Sequence, residues 1–184
     1  MAKILVPLAE GFEEIEAISI IDVLKRAGIE VTVAGLESKE VTGAYAKIPV
    51  IADTLLKDVN IDEYDMMVLP GGLPGAEYLA KSDLVKELLR KMDEKNKMVG
   101  AICAAPWALN EAGVLKEKYT CYPSFEANIK EEGYTSSQKV VTDQNVMTSR
   151  GPATAICFAL EIVKKFAGEE TYNNLKAGLL ADYC

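Results

Sequence analysis

Among the residue types that carry most nucleophilic and metal chemistry, this 184-residue chain has four cysteines and no histidine. Without histidine there is no Ser-His-Asp triad, no Cys-His dyad and no zinc-protease helix. The cysteines stand at 103, 121, 157 and 184, and none forms a Cys-x-x-Cys pair. Neither a structural zinc site nor a thioredoxin-type motif is indicated, so no metal is expected. Cys103 has the most suggestive setting: it follows the apolar run 98–102 and precedes Ala104 and Ala105. A sharp strand-to-helix turn that presents a nucleophile needs small neighbours, and the alanines meet that need. A thiol at a helix start also faces free backbone N–H groups and the positive end of the dipole, which predicts a lowered pKa. The plainer reading, a small buried hydrophobe, stays open. Cys157, between Ile156 and Phe158, reads as core, and Cys184 as exposed and incidental. No secretion signal opens the chain, so the thiols are expected to be reduced.

Glu16 is the second residue of interest. Glu13, Glu14 and Glu16 crowd the start of a helix, and for the first two the favourable dipole suffices as explanation. At 100° per residue, however, the neighbours of Glu16 on the wheel are Phe12, Ile20, Val23 and Ala27. A carboxyl in an apolar stripe is costly unless it is paired or protonated. Desolvation raises its pKa, and such an acid exchanges protons near neutral pH. A structural glutamate bonded to backbone is the alternative reading. Third comes Pro70-Gly71-Gly72-Leu73-Pro74-Gly75, whose glycines let backbone N–H groups approach a ligand and could hold an oxyanion; taken alone, Gly71 and Gly72 read as turn formers. No Lys-Ser or Lys-Thr follows, so a phosphate loop does not fit. The acidic loop 9–12, with one glycine, suits neither a dinucleotide nor a flavin phosphate.

These three segments need a frame. Strands are predicted at 4–6, 30–34, 65–69 and 98–102, and a further strand at 47–51 pairs with the segment near Val41. Helices are predicted at 13–27, from the cap Ser82 to about 96, at 104–112 before Gly113, at 152–168 and at about 169–176. Segments 139–142 and 146–149 flank a hairpin turn at Asp143-Gln144-Asn145. Short apolar strands alternating with amphipathic helices indicate an α/β domain with a mostly parallel sheet covered on both faces. Ligands bind such sheets beyond the carboxyl ends of the strands, where all three segments lie.

The chain carries 20 basic and 28 acidic residues, for a net charge of −8, and 49% of its residues are apolar. An acidic surface disfavours nucleic acid and anionic membrane as partners, and no apolar run is long enough to span a bilayer. One domain over residues 1–184 and a cytoplasmic location are the expectations.

Five ordered segments together resemble the ThiJ/PfpI superfamily, most closely its DJ-one branch. They are residues 8–16, 31–35 and 68–72, then Ala101-Ile102-Cys103-Ala104-Ala105-Pro106, and Thr148-Ser149-Arg150-Gly151-Pro152. The resemblance implies a flavodoxin-like three-layer sandwich and a homodimer, with Asp22 and Arg26 near the dimer contact. It places the nucleophile at Cys103 and a protonated acid partner at Glu16. It places the oxyanion donors at the N–H groups of Gly72 and Ala104, and Gly71, Tyr122 and Arg150 at the pocket. Where many relatives carry a histidine, this chain has Tyr122, and a Ser-Arg pair of some relatives reads Ala46-Lys47 here. A PfpI-type protease is therefore not expected. The implied activity is conversion of a small α-oxoaldehyde such as methylglyoxal to lactate without glutathione or other cofactor, or a related deglycase activity. The alternative is a redox sensor or chaperone whose Cys103 is oxidised to sulfinate.

Overall fold

The computed structural model describes residues 1–184. Its frame is a seven-stranded sheet of β1 (Lys3–Leu8), β2 (Glu30–Gly35), β5 (Thr54–Leu55), β6 (Met66–Leu69), β7 (Met98–Ile102), β8 (Val140–Asp143) and β9 (Val146–Ser149). The order across the sheet is β5-β2-β1-β6-β7-β9-β8. Every pairing is parallel except β8 with β9, the hairpin read from the sequence. A separate antiparallel pair joins β3 (Glu40–Thr42) to β4 (Pro49–Ile51), as expected for the segment near Val41.

Side chains alternate across the central strands. Ile4, Val6 and Leu8 of β1, with Met66 and Val68 of β6, face α1 (Glu14–Arg26) and α5 (Ala155–Gly178) in one core. Leu5, Met67, Leu69 and Val99 face a second core with α2 (Gly75–Lys81), α3 (Asp83–Glu94) and α4 (Pro106–Ala112). Burial on both faces is why these strands read as unbroken apolar runs. The result is the flavodoxin-like three-layer arrangement that was expected. Ser82 caps α3 through the Val85 N–H, and Gly113, in the left-handed region at φ 76°, ends α4. The helix α2 was not anticipated. Residues 152–154 form a single 3-10 turn before α5, and α5 is broken at Gly168, where φ is 89°. No helix is long and apolar enough to cross a membrane.

The cysteine expectations need one correction. Cys157 and Cys184 form a disulfide with a Cα–Cα distance of 5.1 Å, so only Cys103 and Cys121 are free. The break at Gly168 turns the chain back and returns its end to the start of α5, a reversal that no local spacing between the two cysteines encodes.

Strand order decides which loops gather at one place. β1, β6, β7 and β9 are neighbours and run parallel, so the loops after them leave the sheet side by side. Those loops begin at Ala9, Pro70, Cys103 and Arg150.

Candidate active site

Cys103 sits where β7 ends and the chain turns toward α4. Its φ is 64°, a left-handed conformation rare for a residue with a Cβ. Two backbone bonds hold it there: Cys103 N–H donates to Ser149 O on β9 (3.0 Å), and Cys103 O accepts from Tyr122 N–H (2.9 Å). The side chain packs against both cores and stays half-buried. The backbone N–H groups of Ala104 and Gly72 lie close enough to its sulfur to pull its pKa down, and both residues share its cavity.

Glu16 comes from the first turn of α1 and is 0% exposed. Its Oε2 accepts from Gly71 N–H at 2.8 Å, while its Oε1 is buried without a partner. Burial is the main reason its pKa rises to about 8; the charge of Glu13 adds to the rise, and the Gly71 and Cys103 hydrogen bonds oppose it. Both readings of Glu16 thus meet in one residue: it is bonded to backbone, and it holds its proton near neutral pH.

The thiol itself departs from expectation. Burial pushes the Cys103 pKa up, and the ionised Glu16 carboxylate pushes it further. The N–H groups of Ala104 and Gly72 pull the other way. Position at a turn predicts a lowered value, but desolvation and the adjacent carboxyl outweigh two backbone donors. Cys103 and Glu16 titrate as a pair: the first negative charge falls on Glu16, and it strongly opposes a second on the thiol.

Glycine at 71 is required by packing. A Cβ there would lie 2.6 Å from the Cys103 Cβ and 2.7 Å from Glu16 Oε2. Gly71 therefore stands behind the thiol and the acid and does not line the cavity in front of them. That cavity, of about 480 Å³, is bounded by Gly72, Leu73, Cys103, Ala104, Tyr122 and Phe125, with Glu13, Ile15, Tyr45 and Pro152 completing the wall. Tyr122 is one of the wall residues. Arg150 is not a wall residue; its guanidinium lies near Cys121 and Tyr134. The Cys121 thiol is raised to about 12 by burial first and by Glu126, despite Arg150.

Sequence reasoning missed Glu13, Tyr45 and Phe125. Glu13 does cap α1, accepting from Glu16 N–H at 2.7 Å, but its buried carboxyl also borders the cavity, and burial raises its pKa. Tyr45 arrives because Glu14 accepts from the Tyr45 and Ala46 N–H groups and pins the β3–β4 connection. No three His, Cys, Asp or Glu side chains converge on a point that could hold a metal. A second cavity of about 500 Å³, beside Glu10, Glu37 and Glu40, contains no cysteine.

Comparison with known proteins covers nearly the whole chain. The model of the DJ-1/PfpI family matches residues 2–165. Protein dj-1beta of Drosophila melanogaster is 44% identical over 181 residues, covering 97% of each chain. The glutathione-independent glyoxalase DJR-1.2 of Caenorhabditis elegans is 39% identical over 175 residues, covering 95% of this chain and 92% of that one. The crystal structure of Drosophila DJ-1beta superposes with a TM-score of 0.93 at 43% identity, covering 97% of each chain. An oxidized Toxoplasma gondii DJ-1 gives 0.92 at 37%, covering 98% of each. With a cysteine on a left-handed turn, an acid buried behind it and this likeness along almost every residue, the chain belongs to the DJ-1/PfpI family.

Proposed function

We propose that the protein is a cofactor-independent enzyme acting on small α-oxoaldehydes, converting methylglyoxal to lactate. The observation that carries this reading is the Cys103 sulfur set between the N–H groups of Gly72 and Ala104, with an acid of pKa about 8 buried beside it. The glyoxalase relative in Caenorhabditis elegans supports the same substrate class. A cavity of about 480 Å³ accommodates a three-carbon substrate easily. The domain acts as a homodimer in the cytoplasm.

In this mechanism the reactive form is the singly ionised pair: Glu16 ionises first, and its carboxylate takes the Cys103 thiol proton to set the charge on sulfur. The thiolate attacks the aldehyde carbon and forms a C–S bond. The carbonyl oxygen becomes an alkoxide facing the Gly72 and Ala104 donors and takes the Glu16 proton, leaving a hemithioacetal. The Glu16 carboxylate then removes the proton on C1, giving an enediolate; the hydroxyl proton on O1 passes to O2, and Glu16 returns the carbon proton to C2 as the C1 carbonyl forms. The product is a lactoyl thioester on Cys103. Water cleaves it to lactate and regenerates the thiol, so the sum is methylglyoxal plus water to lactic acid.

The test is lactate formation from methylglyoxal without glutathione. Wild type should turn over and Cys103→Ser should show none. Equal rates in the two proteins would remove Cys103 from the chemistry.

One observation favours a second reading. The buried, partnerless Glu16 Oε1 could, when protonated, donate to an oxygen of a Cys103 sulfinate, as a redox sensor requires. A chaperone activity gained on mild peroxide treatment and dependent on Cys103 would favour that function over turnover.

A further inference from the structure

The strongest unassigned feature lies at the end of the chain. An unbroken α5 would carry Gly178 about 32 Å from Cys157 at 1.5 Å per residue. The residues from Gly178 to Cys184 could recover at most about 20 Å even fully extended. The observed 5.1 Å between the Cys157 and Cys184 Cα atoms therefore requires residues 169–178 to fold back beside the first half of the helix. Gly168 is the closed end of this helical hairpin, and the disulfide ties its open end.

Apart from the disulfide, the returning arm meets the core only through the partly buried Tyr172, Leu175 and Leu179. The first half of α5 buries Phe158, Leu160, Ile162 and Val163, whereas none of residues 169–180 is buried. Ala181 is the one buried anchor beyond the arm. Lys139 adds a hydrogen bond from Nζ to Tyr183 O, with its ammonium 5.7 Å from the Tyr183 ring. A helical arm shorter than about 12 residues is marginal in water without packing. The two sulfurs also differ in access: Cys157 is 4% exposed, while Cys184 is half-buried. Both border a groove that also contains Lys139 and Glu161.

We propose that the Cys157–Cys184 disulfide is a thiol-exchange site, entered at Cys184 by a low-molecular-weight thiol such as glutathione, and that its opening releases the C-terminal arm. The incoming thiolate attacks Cys184 Sγ. A new S–S bond forms there as the Cys157–Cys184 bond breaks, and Cys157 leaves as a thiolate that takes a proton from water. A second thiol attacks the mixed disulfide, freeing Cys184 and departing as the oxidised small-molecule disulfide. Two thiols are oxidised and one protein disulfide is reduced. The reverse sequence, driven by the same small-molecule disulfide, closes the latch.

The experiment uses the full chain carrying Cys103→Ser, which keeps the readout independent of the proposed catalytic thiol. Air-oxidised protein is exposed to glutathione, quenched with alkylating agent and mapped by mass spectrometry. Hydrogen exchange is followed in parallel. The expected adduct is glutathione on Cys184 with Cys157 alkylated. Exchange over residues 169–184 should quicken by about 10-fold or more on reduction, with β1, β6 and β7 unchanged. A further Cys184→Ser change should give the fast exchange without any reductant. An adduct on Cys157 would overturn the direction of entry. Absence of the disulfide in air-oxidised protein, or equal exchange over 169–184 in all three forms, would overturn the latch.

Discussion

Replacing Glu16 by glutamine removes a titration while leaving shape and the Gly71 hydrogen bond in place. In the folded protein this carboxyl titrates near 8, against an ordinary value of 4.5. An acid whose pKa is raised by folding favours the native state while protonated. That contribution is fully present below pH 4.5 and is lost progressively as pH rises to 8, because the unfolded chain gives up its proton first. At 1.36 kcal/mol for each tenfold change, the loss across the window is about 5 kcal/mol. In Glu16→Gln it should vanish. Glu13 also has a raised pKa from burial, and its smaller slope remains in both proteins. The ordinary cysteine range begins above the window, so Cys103 does not obscure the comparison. Urea unfolding from pH 4.5 to 8.5 measures both curves. Wild type should lose several kcal/mol more than Glu16→Gln, with the steepest difference between pH 5 and 7.5. Parallel curves would refute the account of Glu16 as a neutral buried acid, and with it the proton store on which the mechanism draws.

Three further outcomes are expected from the same geometry. If the singly ionised pair is the reactive form, kcat/KM for methylglyoxal should climb about tenfold per pH unit at low pH and level off near 8; a flat profile from pH 5 to 8 would contradict it. Gly71→Ala places a methyl against the Cys103 Cβ and Glu16 Oε2. It should cost about 1–3 kcal/mol by overpacking and abolish lactate formation, checked by denaturant titration beside the assay. Cys184→Ser opens a loop with a sequence separation of 27, worth about 3.5 kcal/mol by chain entropy. Its melting temperature should fall by roughly 10 °C without reductant and match wild type with it.

What could be read in advance obeys a physical rule. Strands buried on both faces announce themselves as apolar runs, so β1, β6 and β7 were legible, and with them the elbow after β7. A carboxyl on an apolar stripe is conspicuous because it violates the helix pattern, so Glu16 stood out. Glu13 did not, because capping a helix fully accounts for an acid at that place, and only the fold shows that the same carboxyl borders the cavity. Tyr45 and Phe125 reach the wall from connections whose positions depend on distant contacts, such as those of Glu14 with the Tyr45 and Ala46 N–H groups. The helix α2 was hidden by the Pro and Gly residues just before it, which read as loop. Arg150 was placed at the pocket by its motif, yet β9 delivers it toward Cys121 instead. The disulfide was unreadable because the reversal at Gly168 is a tertiary event.

The two loops that carry the acid and the donor are keyed into each other. A Cβ on Gly11 would meet Pro74 Cδ at 2.5 Å, one on Gly72 would meet Glu13 N at 2.4 Å, and one on Gly75 would meet Gly11 O at 2.8 Å. Neither loop can accept a side chain at these points unless the other moves, so this floor of the cavity is closed to mutational drift. Ile15, Tyr45, Leu73 and Tyr122 on the rim are half or more exposed, and surface positions of this kind change at little cost in stability. A lineage diverging from this chain, or a laboratory selecting new substrates from it, has its freedom at the rim. The identity of the aldehyde can evolve there while the chemistry beneath it stays fixed.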